Sequence, residues 1–195
     1  MLLNDFMMTA QWFKFADGTA HHGYSTGKRS NMDIAKVSLN HLEAFREYTK
    51  ECIQDGLDLY DGAKHDSDAY LQKRMAYAEG RELPDGWPPI SMYFYIESGK
   101  ILGAIRIRHG SNDYINNVIG HIGYETSPNA RGKGVATAML QWVVRNVIEQ
   151  NIVITCDVNN IASRKVIEKC GGEYLGNYYC EEEKRDIMRF QIQRI

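Results

Sequence analysis

Apolar and polar residues follow regular periods from about Met32 onward, and these periods predict the elements of the fold. Segments in which apolar residues alternate with polar ones, or follow one another without interruption, predict strands. Six such segments are Asp33–Val37, Ile90–Ile96, Ile101–Arg108, Val118–Thr126, Ile152–Ile154 and Asp186–Arg194. One more strand is predicted near Glu173–Tyr179. Ser98-Gly99 predicts the turn of a hairpin. The segment Ile152–Ile154 is apolar at every position, which favours a strand buried on both faces.

Helical spacing of apolar residues predicts the remaining elements. One helix begins after Asn40, where Glu43 completes the pattern of a capping box. The others begin at Ser67 or cover Gly134–Glu149 and Ile161–Lys169. Strands and helices alternate, so we expect an α/β fold with one mixed sheet and helices on its faces.

The first part of the chain has a different character. Residues 1–31 are rich in Gly, Ser, Thr and His and show no sustained period. We expect a flexible or irregular extension over residues 1–31 and a single domain over residues 32–195, with Met32 as an alternative start.

Composition and charge exclude several functions. The 195-residue chain has a formal net charge of −2 and no basic cluster, which argues against nucleic acid and membrane surfaces as partners. No apolar segment reaches the ~18 residues of a membrane span. The four cysteines form no C-x-x-C pair, so we expect no metal site. Without a signal-peptide pattern near Met1, a cytoplasmic location is expected.

The segment from Tyr124 to Ala136 carries the clearest chemistry. A predicted strand runs into a glycine-containing turn, Arg131-Gly132-Lys133-Gly134, and the turn opens a long helix. The first N–H groups of a helix lack intrahelical partners and favour an anion such as phosphate. The spacing does not fit a P-loop or G-x-G-x-x-G. By composition alone, the turn indicates either an anion site or merely a helix start.

Two motifs resemble those of the GNAT superfamily of N-acetyltransferases. Arg131-x-x-Gly134-x-Ala136 is similar to the family signature Q/R-x-x-G-x-G/A, and Asn160–Gly172 resembles the N-x-x-S…E-K-x-G-F segment, with Gly172 in place of the aromatic residue. The chain looks most like a bacterial subgroup of predicted acetyltransferases, although Gly110-Ser111 replaces an expected Glu-Leu. The resemblance implies a single-domain GNAT-like fold with a mostly antiparallel central sheet.

The same resemblance implies a binding site for acetyl-coenzyme A, used as a co-substrate without a metal. By this resemblance, the turn and the start of the long helix bind the pyrophosphate, and Arg131 shapes the turn and adds charge to it. The end of the strand before the turn and the start of the next helix bind the pantetheine arm. The implied residues are Tyr124, Thr126, Arg131, Gly132, Lys133, Gly134, Val135, Ala136, Thr137, Asn160 and Ser163. Asn160 is also a helix N-cap candidate, and Ser163 is also typical of a solvated helix residue.

The implied reaction is direct attack of an amine on the thioester, helped by a general base. His121 is the first candidate base because its unperturbed pKa lies near neutrality; the alternative is a structural, hydrogen-bonded histidine. Glu125 is the second candidate, and an exposed strand-end charge is its alternative. Many relatives place a tyrosine acid where this chain has Ile167, so Ser163 or one of Tyr174, Tyr178 and Tyr179 would have to substitute.

The acceptor is expected to be a small-molecule or peptide amine. Its pocket is expected among the first two helices, the Trp87-Pro88-Pro89 loop, the strand Tyr93-Phe94-Tyr95 and the region of Tyr178. The acidic residues Asp55, Asp58, Asp61 and Asp66 are either an amine-attracting cluster or a solvated helix end. Two rival functions remain at this stage: a non-catalytic acyl-coenzyme A binding module of the same fold, and an unrelated α/β phosphate binder. A homodimer is left open.

Overall fold

Seven strands and five α-helices make up the computed structural model, which describes residues 32–194. In chain order they are β1 (Met32–Lys36), α1 (Leu42–Gln54), α2 (Asp61–His65), α3 (Ser67–Ala78), β2 (Ile90–Glu97), β3 (Lys100–Arg108), β4 (Ile122–Thr126), α4 (Val135–Asn146), β5 (Ile152–Asp157), α5 (Ile161–Lys169), β6 (Glu173–Cys180) and β7 (Arg185–Ile192). The expected extension over residues 1–31 lies outside the described residues. No helix in residues 32–194 is long and apolar enough to cross a bilayer.

The strands form two antiparallel sheets rather than the single sheet expected. One has the order β1-β2-β3-β4 and the other β5-β7-β6. They meet where the N–H of His121 donates to the carbonyl oxygen of Val153 at 2.7 Å. The α/β class and the helices on both faces are confirmed; the sheet is divided because β4 and β5 separate beyond this contact.

Alternation along β2 and β3 sends side chains to opposite faces of the first sheet. Phe94 and Ala104 pack with the buried side of α1, α2 and α3, whereas Ile105 and Ile107 pack with α4 and the second sheet. From Ala104 onward, the face of α1 and α3 is therefore also the face to which the even-numbered residues of β3 point.

Several predicted boundaries need correction. The strand expected from Val118 begins only at Ile122, because Ile115–Ile119 forms a π-helical turn whose apolar side chains pack against Cys180 and Ile187. Apolar β-branched residues alone do not distinguish a strand from such a buried turn. In β5, Ile152 and Ile154 are buried but Val153 is only partly so, because β5 has one fully covered face.

Helix ends follow the predicted chemistry in part. The helical region before α1 starts after Ser38, not Asn40, and the backbone N–H of Ser38 donates to His41 Nδ1 at 3.2 Å. The predicted α5 is confirmed. Its end is a Schellman motif, in which Gly171 has φ +86° and Gly172 donates to the carbonyl of Ile167.

Candidate functional site

The gap between β4 and β5 is the central feature of the site. Both strands begin beside the His121–Val153 contact, and beyond it β4 pairs only with β3 and β5 only with β7 among the described strands. Gly120 permits the close approach at the joined end: it has φ +68°, and a Cβ there would lie 2.9 Å from the backbone N of Thr155. The strands are thus joined at one end and open at the other.

The register of β4 decides which backbone groups face this gap. Ser127 N–H donates to the carbonyl of Leu102 in β3 at 2.9 Å. In an antiparallel pair, residues alternate between bonding the neighbour and pointing away from it. Glu125 therefore bonds toward β3, whereas Tyr124 and Thr126 present their backbone N–H and C=O groups to the gap. An extended ligand arm could pair with these two residues.

The turn after β4 is built around two left-handed glycines. Gly132 has φ +72° and Gly134 has φ +82°, a region that is unfavourable for residues with a Cβ. Neither glycine has a heavy atom within 4 Å of its Cβ position, so the turn is open on its outer side. Lys133 between them is exposed. The turn therefore offers backbone and one cation to a ligand.

Helix α4 begins directly behind this turn. Its first backbone bond runs from Ala138 N–H to the carbonyl of Gly134, at 2.9 Å. The N–H groups of Val135, Ala136 and Thr137 precede that bond and have no partner within the helix. The Val135 side chain is core, at 5% exposure, so its contribution to the site is the N–H alone. Three N–H groups and the helix dipole favour an anion here.

Arg131 turns away from the open side of the turn. Its guanidinium donates to Asp55 Oδ2 at 2.5 Å, which joins the turn to the C-terminal end of α1. Arg131 and Asp55 are therefore partners of each other. Asp66 also has a local partner, because its side chain accepts from Ala69 N–H as the N-cap of α3. Asp55 thus holds the turn against α1, and Asp66 caps α3.

Asn160 and Ser163 lie at the start of α5. Asn160 Oδ1 accepts the Ser163 N–H at 2.9 Å, which is an N-cap contact. The cap leaves the Asn160 Nδ2 group as a donor for another acceptor. Ser163 is buried at 8% exposure, so it is not the solvated residue that the sequence allowed. Its Oγ lies 2.9 Å from the hydroxyl of Tyr124, which bridges β4 and α5.

Glu125 is buried at 8% exposure, which contradicts the alternative of an exposed strand-end charge. Its carboxylate pairs with the Arg106 guanidinium and accepts a hydrogen bond from the hydroxyl of Tyr60. Tyr48 donates to the same oxygen at 3.4 Å. Burial raises the pKa of both tyrosines, with the Glu125 charge adding to the effect. The phenols therefore remain protonated donors to the carboxylate.

His121 is held at the closed end of the gap. Its Nε2 lies 2.8 Å from Ser111 Oγ, and its Nδ1 lies 3.0 Å from the carbonyl oxygen of Val153. Burial lowers the pKa of His121, and the nearby Arg108 charge lowers it further. Ser111 is one of the two residues that depart from the subgroup pattern, and its hydroxyl is the partner of the His121 imidazole.

The sequence missed the residues around Glu125. Arg106 and Arg108 are two charges at period two in an otherwise apolar strand, which was the available signal. Tyr48 and Tyr60 gave none, because aromatic residues on short helices are typical of core. The expected acceptor strand also differs: Phe94 is fully buried beside α1, and Tyr93 packs on Trp142 of α4 with ring centroids 5.2 Å apart.

The tyrosines proposed to replace the missing acid lie elsewhere. Tyr174, Tyr178 and Tyr179 are exposed on β6, and β7 separates β6 from β5. Ile167, at the position of the family tyrosine, is fully buried in the core. Within residues 32–194, no group of three or more His, Cys, Asp or Glu side chains could hold a metal ion.

A splayed pair of strands, a glycine turn and a helix N-terminus define an acyl-coenzyme A-dependent transferase fold. The family model for the acetyltransferase (GNAT) family matches residues 54–172. The chain belongs to this family and is an acetyl-coenzyme A-dependent N-acetyltransferase. No curated protein matches the sequence.

Solved structures show the same fold at low sequence identity. An acetyltransferase from Salmonella typhimurium that modifies the N-terminal serine of ribosomal protein L7/L12 is 18% identical, with a TM-score of 0.60 over 83% of this chain and 94% of that chain. The microcin C7 self-immunity acetyltransferase MccE, in complex with acetyl-coenzyme A and AMP, is 18% identical with a TM-score of 0.60, over 83% and 92%. An N-acetyltransferase from Staphylococcus aureus Mu50 is 17% identical with a TM-score of 0.56, over 85% and 100%.

Proposed function

We propose that acetyl-coenzyme A lies in the gap between β4 and β5 and that an amine attacks its thioester from the side of α1 and α2. The observation that carries this proposal is that β4 and β5 are joined at one end and open at the other, next to the turn at Gly132 and Gly134. The open half offers backbone groups of Tyr124 and Thr126 to the pantetheine arm. The turn and the α4 N-terminus offer N–H groups to the pyrophosphate.

The residues of the donor site divide by what they supply. The N–H groups of Gly132, Gly134, Val135, Ala136 and Thr137 and the Lys133 ammonium favour the phosphates. Asn160 Nδ2 is placed as a donor for a pantetheine carbonyl, because Oδ1 is already used in the cap. Arg131 acts through its pair with Asp55, which fixes the turn against α1.

Glu125 has the stronger geometry of the two candidate bases. It lies on the open half of β4 and points to the face of α1, whereas His121 lies at the closed end. The polar side-chain atoms of both residues have protein partners, so the position along β4 decides between them. An alkylamine of pKa ~10.4 needs about 4–5 kcal/mol to lose its proton at pH 7. The Glu125 carboxylate would attract the ammonium and receive the proton through water. His121 then has a structural role.

The leaving thiolate has a hydroxyl pair nearby on the donor side. The Tyr124 phenol and the Ser163 hydroxyl are bonded to each other between β4 and α5. Burial raises the pKa of Tyr124 well above its usual range, so the phenol stays protonated and acts as a hydrogen-bond donor rather than as an acid. A thiol of pKa ~8.5 is a good leaving group as its thiolate, which a hydrogen bond from one such hydroxyl would stabilise.

Release of free thiol tests this function. Purified protein is incubated with acetyl-coenzyme A and a panel of small amines and peptides, and thiol is measured with and without each amine. Amine-dependent release is expected. If acetyl-coenzyme A raises the melting temperature but no amine releases thiol, the chain is instead an acyl-coenzyme A binding module. If it neither raises the melting temperature nor reacts, donor binding in the gap is wrong.

The base assignment needs a matched pair of variants, because breaking a buried ion pair destabilises by about 3–5 kcal/mol from either side. Glu125→Gln and Arg106→Gln both break the pair. Only Glu125→Gln removes the carboxylate, so its kcat should fall by a further ~10²-fold. Equal losses of kcat in the two variants would show that the pair is structural and would leave Glu125 without a role as base.

The finer features of partners and location remain proposals. Strand β6 exposes Tyr174, Tyr178 and Tyr179, and a second copy is the partner that we propose for this strand. Sedimentation of wild type and Tyr178→Ser measures this directly, and a monomer at micromolar concentration would refute it. The cytoplasmic location is supported by the four free cysteines of the described chain.

A further inference from the structure

A second charged group lies on the same sheet face as the Glu125–Arg106 pair. Arg108 follows Arg106 by two residues in β3, so both side chains point to the side of α1 and α3. Arg106 has the Glu125 carboxylate as its partner. No carboxylate in residues 32–194 forms an ion pair with Arg108.

The guanidinium of Arg108 is poorly satisfied for a buried charge. The residue is 9% exposed, and Nη1 donates to the carbonyl oxygen of Gly120 at 3.1 Å. Its Nε is buried and has no hydrogen-bond partner among the described residues. Burial, together with the charges of Arg106 and Arg74, lowers the pKa of Arg108 to about 9. A buried guanidinium in such surroundings is stabilised by an anion.

The neighbouring strand leaves an opening beside this group. Gly123 of β4 lies between His121 and Glu125, and a Cβ there would meet one described atom within 4 Å, Arg108 Nη1 at 3.9 Å. Gly123 and Tyr124 are partly exposed, although Ile122 and Glu125, which flank this pair in β4, are buried. Among residues 32–194, the space above Gly123 is therefore open and has the Arg108 guanidinium at its wall.

This opening is next to the proposed reaction centre. Gly123 precedes Tyr124, whose backbone faces the gap, and it lies two residues from Glu125, or about 7 Å along the strand. A ligand above Gly123 would thus reach Arg108 at one end and the Glu125 carboxylate at the other. The two charges have opposite signs.

We infer that the acetyl acceptor carries an oxyanion, a carboxylate or a phosphate, which binds Arg108 above Gly123 while its amine approaches Glu125. This inference rests on the proposed function. Arg108 is a binding residue for the acceptor, and the short distance between the two charged groups favours small amines whose oxyanion lies a few bonds from the nitrogen.

Substrate preference of the wild-type enzyme is the first test. Initial rates of thiol release are compared for β-alanine and 4-aminobutyrate as carboxylates, phosphoethanolamine as a phosphate, and propylamine and ethanolamine as controls that lack an oxyanion. We expect kcat/KM to be roughly tenfold or more higher for an oxyanion amine than for the control amine of similar length. The carboxylate and phosphate arms distinguish the two sources. Equal or higher values for the control amines would overturn the inference while leaving the acetyltransferase function intact.

Variants of Arg108 provide the second test. Arg108→Gln should raise KM roughly tenfold for the preferred oxyanion amine, with little change for propylamine or for acetyl-coenzyme A. Arg108→Lys should recover part of the loss, because it restores the charge without the planar fork. Equal losses for amines with and without an oxyanion would show that Arg108 only supports Gly120.

A binding measurement keeps the inference testable if no amine in the panel reacts. Calorimetric titration of inorganic phosphate and of succinate into the wild-type protein, with coenzyme A present, should detect binding of one of them. Arg108→Lys should weaken this binding and Arg108→Gln should abolish it. Absence of binding to the wild-type protein, or unchanged binding to folded Arg108→Gln, would reject the site independently of catalysis.

Discussion

The backbone N–H of His121 donates to the carbonyl of Val153 at 2.7 Å, and this contact joins the two sheets of the molecule. The imidazole of His121 reinforces the junction, because its Nδ1 lies beside both backbone polar groups of Val153. The open half of the gap starts beyond this point. The histidine that resembles a catalytic base in the sequence is therefore placed where the site is closed.

We predict that His121→Gln lowers stability but leaves the chemical step nearly intact. Loss of the buried contacts should lower the free energy of unfolding by about 1–3 kcal/mol, whereas kcat per folded molecule should change by no more than a few-fold. Thermal denaturation and thiol-release kinetics on the same preparation check this. A kcat loss of ~10²-fold with normal stability would restore His121 as the base.

The pH dependence of stability gives an independent readout. Because the pKa of His121 is lowered in the folded state, the unfolded chain binds a proton first as pH falls below about 6.5. The stabilisation is therefore present above pH ~6.5 and is lost as pH falls toward the folded pKa, by at most about 1.4 kcal/mol per pH unit. His41 and His109 also have lowered pKa values and are unchanged in the variant.

The wild type should accordingly lose more stability between pH 7.5 and pH 5 than His121→Gln does. Urea denaturation at the two pH values measures the difference. Parallel losses in the two proteins would mean that His121 is not a buried neutral imidazole.

Two glycine substitutions distinguish an effect on coenzyme binding from an effect on stability alone. Gly134→Ala places a Cβ at φ +82° and should cost about 1–2 kcal/mol of stability. The strained turn should also raise KM for acetyl-coenzyme A. Gly86→Ala is the matched control, since Gly86 has φ +78° with no atom within 4 Å of its Cβ position but lies in another loop. An unchanged KM in folded Gly134→Ala would remove the turn from the donor site.

Two substitutions of Asn160 separate its cap from its ligand contact. Asn160→Asp keeps a side-chain oxygen for the Ser163 N–H and should preserve stability, but it removes the Nδ2 donor and should raise KM for acetyl-coenzyme A. Asn160→Ala removes the cap as well and should cost about 1 kcal/mol. Titration with coenzyme A and thermal denaturation measure the two effects. Equal coenzyme affinity in wild type and Asn160→Asp would leave Asn160 with only its capping role.

Tyr124→Phe tests the hydroxyl pair at the gap. The variant loses the bond to Ser163, so we expect a stability loss of about 1 kcal/mol. Ser163→Ala breaks the same bond and is the control. If the phenol donates a hydrogen bond to the leaving thiolate, kcat should fall more in Tyr124→Phe than in Ser163→Ala while KM for acetyl-coenzyme A stays similar. The reverse order of kcat would assign this hydrogen bond to Ser163.

Local patterns were sufficient for most elements but not for all. The extent of α5 and the hairpin at Ser98-Gly99 follow from signals within a few residues, namely a glycine cap and a two-residue turn. The local sequence predicts a strand at Val118 and Ile119 because β-branched residues favour one. Contacts with Cys180 and Ile187, about sixty residues away in sequence, outweigh this local preference and form a π-helical turn.

The sequence by itself predicted the family and the donor side of the site that we propose. The glycines at 132 and 134, the strand before them and the Asn160 segment are local motifs, so a short stretch of sequence is sufficient to recognise them. Only the tertiary structure brought together the residues of the acceptor side that we propose. Glu125, Arg106 and Tyr60 come from three separate elements, and Arg108 gains its meaning from the missing side chain of Gly123 on the next strand. Burial and pairing of charges depend on neighbours across the sheet, which no local pattern specifies.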